Sequence, residues 1–411
     1  MVKYFFLVTS FFYCASSKAR HWTASSNYSS TFTNIIQQAK RYDTIYLQAG
    51  NYISHNTIIQ IPLTIIGLNY PNIDGQQKDE VITILSDSVT IQGCVVKNSF
   101  VGSMKDYAGI RVFQHKHIKL LNNKLVNTFF GIYLSDTEDV EVNGNDLKGA
   151  LYGSSDAGNG IHLWKCNNIY IANNHIEGHR DGIYFEFVKH SSIVKNYSEK
   201  NFRYGLHFMF SDDDVYVNNI FTNNGTGVAV MYSKKVEMQN NRFEHSWGGA
   251  SYGLLLKEIS NSRIIGNTFN YNTIAIFMEG CNYINLQYND LTDNGYAIKM
   301  MANCTYDTIR LCNFLGNSFD FSTNGESYIN NLVENNYWSK YEGYDLNKDK
   351  IGDLPFYPCS LYAQIVEKIP YAIMLHRSLI ALLMDKAEKA IPSIISDHIV
   401  DKKPYMQIVQ K

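Results

Sequence analysis

Imidazole and thioether groups are soft donors, and the sequence spaces His207, Met209 and Met231 so that they can act together. His207 and Met209 stand two apart in the run Arg203-Tyr-Gly-Leu-His-Phe-Met-Phe-Ser-Asp212, so on a strand they share one face. Met231 follows Met209 by 22 residues. Such a set suits Cu(I). The alternative is an apolar patch or a contact surface that adapts through methionine flexibility. A second group, Arg203, His207, Asp212, Asp213 and Asp214, holds the bases and carboxylates that cleavage of an acidic polysaccharide would use, against a plain solvated corner. The paired Asn-Thr-Asp and Gly-His-Gly of a polygalacturonase are missing, the nearest being Asp212-Asp213 and Gly178-His179-Arg180, and there is no Asp-Pro-His of the alginate-epimerase kind. A third group, Asp345, Asn347, Asp349 and Asp353, spaces its oxygens like a calcium loop. Lys350 stands where an EF-hand needs Gly and Phe356 where it needs a bidentate Glu, so a structural turn competes with a weak calcium site. Beyond Cys14 the six cysteines form no CxxC pair, which leaves no zinc or thioredoxin-like signal. Their wide spacing suits small residues of a stacked core.

Whether these groups meet depends on the elements that carry them. Asn followed by any residue and then an apolar or small one recurs at Asn123, Asn145, Asn174, Asn196, Asn219, Asn241, Asn267 and Asn289. Gly or Ala ahead of an alternating apolar strand recurs at Gly131, Gly160, Gly182, Gly205, Gly227, Gly253, Ala275 and Ala297. Both series step mostly by 22 residues and lengthen at the same places. The segments between are short, β-branched or aromatic, and alternate with period two. Coiling one turn per repeat lets each pair in parallel with its copy on the next turn, about 4.8 Å away. The predicted fold is an all-β, right-handed parallel β-helix with Asn side chains hydrogen-bonded up one corner. Residues 33–40 read as a short amphipathic cap helix, and loops are expected at 151–159 and 246–252. In the strand after each Gly or Ala, the first and third residues are apolar and face in. The second and fourth then face out: Tyr133 and Ser135, His162 and Trp164, Tyr184 and Glu186, His207 and Met209, Ala229 and Met231. On this register the three soft donors share one solvent-facing side of adjacent turns, and His162 lies about 10 Å from His207.

The ends differ in character. Residues 1–19 read as a secretory signal, with Lys3, an apolar stretch and a small-x-small site at Ser17-Lys18-Ala19, so the mature chain begins near Arg20 outside the cytoplasm. Residues 20–336 are assigned to the capped β-helix, 337–358 to a Trp- and Asp-rich closing loop, and 359–411 to a helical tail. Ile365, Ile369, Leu379, Ile380, Leu383, Met384 and Ala387 give that tail more apolar surface than a cap needs, which predicts docking on a partner. Pro370 and Pro392 divide it. A charge balance of 36 Lys+Arg against 38 Asp+Glu leaves no basic footprint for nucleic acid. No apolar run reaches the roughly 18 residues that span a bilayer.

The signal segment, the entry ending Gly50-Asn-Tyr52, the run from Arg203 to Asp212, and the closing Gly352-Asp-Leu-Pro-Phe-Tyr-Pro358 together resemble the NosD family, as do Ile369-Pro-Tyr-Ala-Ile-Met-Leu-His-Arg-Ser378 and Asp401-Lys-Lys-Pro404 in the tail. These are periplasmic maturation proteins of nitrous oxide reductase, and the likeness covers nearly the whole chain. It implies an accessory role without catalysis. The chain would work with the ATPase and membrane subunits of an ABC transporter, take copper from a small chaperone, and help deliver it to the reductase, sulfur being the other cargo proposed. The tail would meet the membrane subunits, so that membrane association runs through the partner. His207, Met209 and Met231 would form a transient, exposed Cu(I) site. Lys350 departs from the carboxylate loop the calcium reading needs. The competing class is a carbohydrate-binding or polysaccharide-cleaving β-helix that uses the outward Tyr and Trp residues.

Overall fold

The computed structural model describes residues 19–25, 31–102, 105–149, 157–325, 330–390 and 399–410. Nearly all of the signal segment and most of the 151–159 loop lie outside them. The described chain coils through about 13 turns of about 23 residues, building three parallel sheets of 14, 13 and 12 strands. One turn shows the plan. Asn167–Ala172 lies in the first sheet, His175–Glu177 in the second and Asp181–Glu186 in the third, and each pairs with its counterpart one turn on. A strand buried on one side reads as alternation, and Ile161, Leu163, Ile183, Phe185, Leu206 and Phe208 are all fully buried.

The corner between the first and second sheets decides the coil. Asn122, Asn173, Asn218 and Asn240 adopt left-handed φ there, as do Gly144 and Gly266. Each is followed by an Asn of the repeat, whose side-chain oxygen accepts from the backbone N–H and the amide of the Asn one turn before. The bonds run without a break from Asn123 to Asn289, at 2.8 to 3.2 Å. A second, shorter ladder joins Asn272, Asn294 and Asn317 at the corner before the third sheet. The six cysteines of the described residues are buried, as expected of stacked core residues.

Both ends are closed. Helix Phe32–Gln37, capped by Thr31, buries Phe32, Ile35 and Ile36 against the first turns. At the far end, Trp338 stacks on Phe314 at 3.9 Å. Helix Leu361–Lys368 then packs Ala363 and Val366 against Phe319 of the last third-sheet strand, and Glu367 pairs with Lys299 at 2.7 Å. A 3-10 turn, Pro370–Leu375, and helix Leu379–Ala390 follow. The final stretch then returns to the solenoid, which the reading of 359–411 as a docking tail did not foresee. Asp401 accepts from the N–H of Asn335 and Asn336 and from the indole of Trp338, so a tail carboxylate ends the Asn ladder.

Candidate functional site

The outward side of the third sheet is ordered residue by residue. Arg111, Tyr133, His162, Tyr184, His207 and Ala229 stand in one column. Ser135, Trp164, Glu186, Met209, Met231 and Lys257 form the next. Met209 and Met231 are thus direct neighbours, and His207 sits beside Met209 on the same strand, about 6.6 Å along it. The repeat brings all three expected donors together on one side of the sheet.

Their exposure differs from the expectation. Met209 and Met231 are partly exposed, but His207 is only 4% exposed. Tyr184 meets its ring edge-on at 5.0 Å and Tyr204 covers another side at 4.6 Å. Arg203 Nη2 lies 3.0 Å from His207 Nδ1, and Asp181 Oδ2 lies 3.5 Å from the same nitrogen. Arg203 is held in turn by a 2.9 Å ion pair with Asp181 and by the Tyr204 ring. Among the described residues His207 Nε2 is buried with no hydrogen-bond partner. A buried polar atom is normally paired, so this nitrogen stands out on the outward face. The Tyr184 hydroxyl lies 3.7 Å from Met209 Sδ and 3.1 Å from Glu186. Burial and the neighbouring Glu186 raise its pKa, which keeps it a donor.

His162 belongs to a different environment. Its ring is sandwiched between Tyr133 and Tyr184 at 4.4 and 4.8 Å, and Asn159 reaches its Nδ1 at 3.0 Å. Burial, with help from Arg111, holds its pKa near 3, so it stays neutral. These rings spend their faces on one another.

The polysaccharide-cleaving cluster does not assemble. Arg203 is committed to Asp181, Asp212 accepts from the Lys234 N–H, and Asp213 pairs with Lys235 at 3.4 Å. Asp214 is buried and accepts from the Ser191 N–H; burial pushes its pKa up to about 8. In the carboxylate loop, Asp345 accepts from the N–H of Asp349 and Lys350, Asp349 from Ile351, and Asp353 from Leu346. Lys350 takes the left-handed φ of 72° that the missing Gly would have taken. Each of these three carboxylates thus accepts a backbone N–H of its own turn.

Sequence reasoning missed three features. Asp181, the residue that orients both Arg203 and His207, stands directly before a Gly of the repeat, where other turns carry Tyr204 or Thr226. Phe187, Phe210 and Tyr232 stack at 5.3 and 5.1 Å along the corner beside Glu186, Met209 and Met231, and are 39 to 44% exposed. Their regular spacing was a readable signal. On the second sheet, His175, Glu177 and Glu199 converge within 4.8 Å, but Lys148 and Lys200 already pair with the two carboxylates.

Comparison with known proteins finds similarity to one family. The family model described as "Periplasmic copper-binding protein (NosD)" matches residues 148–343, the stretch that carries both outward columns from His162 onward. A protein of Stutzerimonas stutzeri named "Probable ABC transporter binding protein NosD" is 28% identical over 88% of this chain and 86% of its own length. A Pseudomonas aeruginosa protein of the same name is 27% identical over 88% of each. The chain is similar to NosD proteins over most of its length. Among solved structures, the catalytic unit of an α-1,3-glucanase from Streptomyces thermodiastaticus aligns with a TM-score of 0.60 at 11% identity, over 74% of this chain and 64% of that one. That likeness shows the β-helix and nothing of the chemistry. The NosD relatives are named binding proteins, and among the described residues no helix is long and apolar enough to cross a membrane.

Proposed function

We propose that this chain is a periplasmic accessory protein of nitrous oxide reductase maturation, which takes copper as cargo and works with an ABC transporter. The observation that carries the reading is the pairing of Met209 and Met231 on the same side of the sheet as His207, whose Nε2 is buried without a partner among the described residues, in a solenoid similar to NosD proteins. Two thioethers and an imidazole favour Cu(I) over harder ions, and favour copper over sulfur as the cargo met by this face. With Arg203 donating to Nδ1, the imidazole proton sits on Nε2. Binding a soft metal at Nε2 would move that proton to Nδ1. Arg203 would then give up its Nδ1 contact, keeping its ion pair with Asp181, whose Oδ2 at 3.5 Å would accept the Nδ1 proton. Burial of His207 under Tyr184 and Tyr204 makes access depend on a small side-chain movement, which suits transfer better than storage. Copper would arrive from a small chaperone, and the exposed Phe187, Phe210 and Tyr232 beside the sulfurs offer apolar surface for its approach.

The helical tail supplies the transporter contact. Tyr371 and Met374 are each 84% exposed and Leu379 is 71% exposed, an unusual density of large apolar groups in so short a stretch. We assign that surface to the membrane subunits, with the reductase and chaperone meeting the solenoid. Two experiments test the reading. Anaerobic competition of the mature chain against a chromophoric Cu(I) chelator should show copper uptake that a His207/Met209/Met231→Ala variant loses; no uptake by the wild type overturns the copper role. Pull-down of the transporter should fail for a Tyr371/Met374/Leu379→Ser variant and succeed for the wild type. Deleting the tail is the poorer test, since it also removes Asp401 from the end of the Asn ladder.

A further inference from the structure

At the corner that leads into the first sheet, a buried column reads Val188, Ser211, Ser233, Ile259, Cys281 and Cys304 on successive turns. The residues that follow its members are bridged in parallel, Ser260 to Asn282 and Asn282 to Thr305, so Cys281 and Cys304 are neighbours one turn apart. The Thr305 N–H donates to the Cys281 carbonyl at 3.0 Å, and the Gly280 N–H to Asn303 Oδ1 at 2.9 Å. A hydroxyl serves this column well: Ser211 Oγ accepts the Val188 N–H at 3.0 Å, and Ser233 Oγ that of Ser211 at 3.1 Å. A thiol is a weaker acceptor. Two cysteines in succession therefore call for a reason beyond the column's own bonding.

The two thiols meet inside the coil. Both residues are fully buried, and their side chains are hydrogen-bonded to each other. One step of a parallel ladder is about 4.8 Å, inside the Cα separation of roughly 4.4 to 6.8 Å that a disulfide spans. Among the described residues no other two cysteines stand on successive turns of one column. Cys166 lies between Thr137 and Val188, while Cys94 and Cys312 sit at opposite ends of the Asn ladder. The pair is also unequal. Burial pushes the Cys281 thiol up, whereas the hydrogen bond from Cys281 holds Cys304 below the usual thiol range. Cys304 closes the tight turn 301–304 and adjoins the exposed Asn303.

We propose that Cys281 and Cys304 are a disulfide site, joined by exchange with a disulfide oxidant in the compartment to which the chain is exported. The inference rests on the periplasmic reading above and on none of the copper geometry. The Cys304 thiolate attacks one sulfur of the oxidant, whose S–S bond breaks and releases one half as a thiol. Cys281 then gives up its proton and attacks the Cys304 sulfur of the mixed disulfide, releasing the second half. Both thiol protons end on the released thiols, and two electrons pass to the oxidant. The link closes a ring that contains Lys299, the partner of Glu367 on helix Leu361–Lys368, so it fixes a turn that the tail grips.

Alkylation of the exported, mature chain, purified without reductant and unfolded before labelling, tests the proposal by mass spectrometry. Four of the six thiols should be alkylated, with the peptides of Cys281 and Cys304 joined. A chain reduced beforehand should regain the same link with oxidised glutathione, which probes the pair apart from where the chain resides. Cys281→Ser should show no link, and Ser211 and Ser233 show that the column accepts serine. That variant should still take up copper in the chelator competition, so loss of the link and failure of the copper face read out separately. Reduction should lower the urea midpoint of wild type and leave that of Cys281→Ser unchanged. Six alkylated thiols after both treatments, or a link to any other cysteine, overturns the proposal.

Discussion

Two kinds of column run along this solenoid, and they obey opposite rules. From Asn123 to Asn289 the first corner repeats one residue, and each amide is bonded to its own kind along the stack while its N–H₂ reaches a backbone carbonyl of the turn before, as Asn219 does to Ile193. The outward column beside it reads Arg111, Tyr133, His162, Tyr184, His207, Ala229 over the same rise, and no two successive members share a chemistry. Where the geometry alone must be satisfied, one residue satisfies it everywhere. Where a column changes at each turn, stacking does not dictate the residue and something else can. The orphaned Nε2 of His207 lies in the varied column, whereas the ladder amides are saturated.

The contrast breaks most visibly at the ladder. Asn219→Ala strands the Ile193 carbonyl and the Asn196 N–H inside the coil, while Asn241 Oδ1 keeps the backbone N–H of residue 219. Each buried unpaired group costs about 1 to 3 kcal/mol, so a loss of at least about 2 kcal/mol is expected. Urea unfolding followed by circular dichroism measures it; a loss below 1 kcal/mol would show that the ladder is decoration. Asp401→Ala should come second. It removes the acceptor of Asn335, Asn336 and Trp338 at the end of the stack, so the last turns should exchange their amide hydrogens faster while the early turns stay protected. Uniform loss of protection along the chain would instead mean that the solenoid unfolds as one unit.

What could be read before the coordinates follows from the same contrast. The period, the parallel coil, the inward and outward assignments and the meeting of Met209 with Met231 were all legible, because a solenoid turns spacing directly into neighbourhood. Contacts that spacing does not encode were not legible. Asp181 reaches Arg203 and His207 from the turn before, so its role depends on side-chain direction. Burial of His207 depends on how Tyr184 and Tyr204 pack, and strand alternation predicts a side but no depth. Asp401 lies 65 residues beyond Asn336 on the chain, outside any repeat, and its return could not be inferred from periodicity.

A third column sharpens the comparison because it mixes the two rules. Ser191, Asp214, Ser262 and Asp307 each accept the backbone N–H of the turn before, as ladder residues do, but the type varies. Burial pushes Asp214 up to about 8 and Asp307 up to about 7, against about 3.9 in the unfolded chain. Between about pH 4 and pH 8 the folded state therefore keeps a proton at Asp214 that the unfolded state releases, and stability falls as the pH rises. Asp214→Asn keeps the acceptor for Ser191 and removes this penalty. The variant should be more stable than wild type by about 1 to 2 kcal/mol at pH 8, with the gap closing toward pH 4. A gap that does not change with pH would mean that Asp214 is ionised in the fold.

The smallest effect on stability is expected where the effect on function is largest. Met209 and Met231 are partly exposed and face outward, so Met→Ala at both should cost less than about 1 kcal/mol, as surface substitutions do. His207→Ala costs more, because Arg203 loses its Nδ1 contact, though Asp181 still holds the guanidinium. The double methionine variant should thus melt within a few degrees of wild type yet lose Cu(I) in chelator competition, while Asp181→Asn, which leaves all three donors in place, should keep copper but bind it more weakly by about 10- to 100-fold. If Asp181→Asn binds copper as tightly as wild type, His207 is oriented by its aromatic neighbours alone. If the methionine pair unfolds the chain, the outward column is as structural as the ladder, and the distinction between the two kinds of column fails.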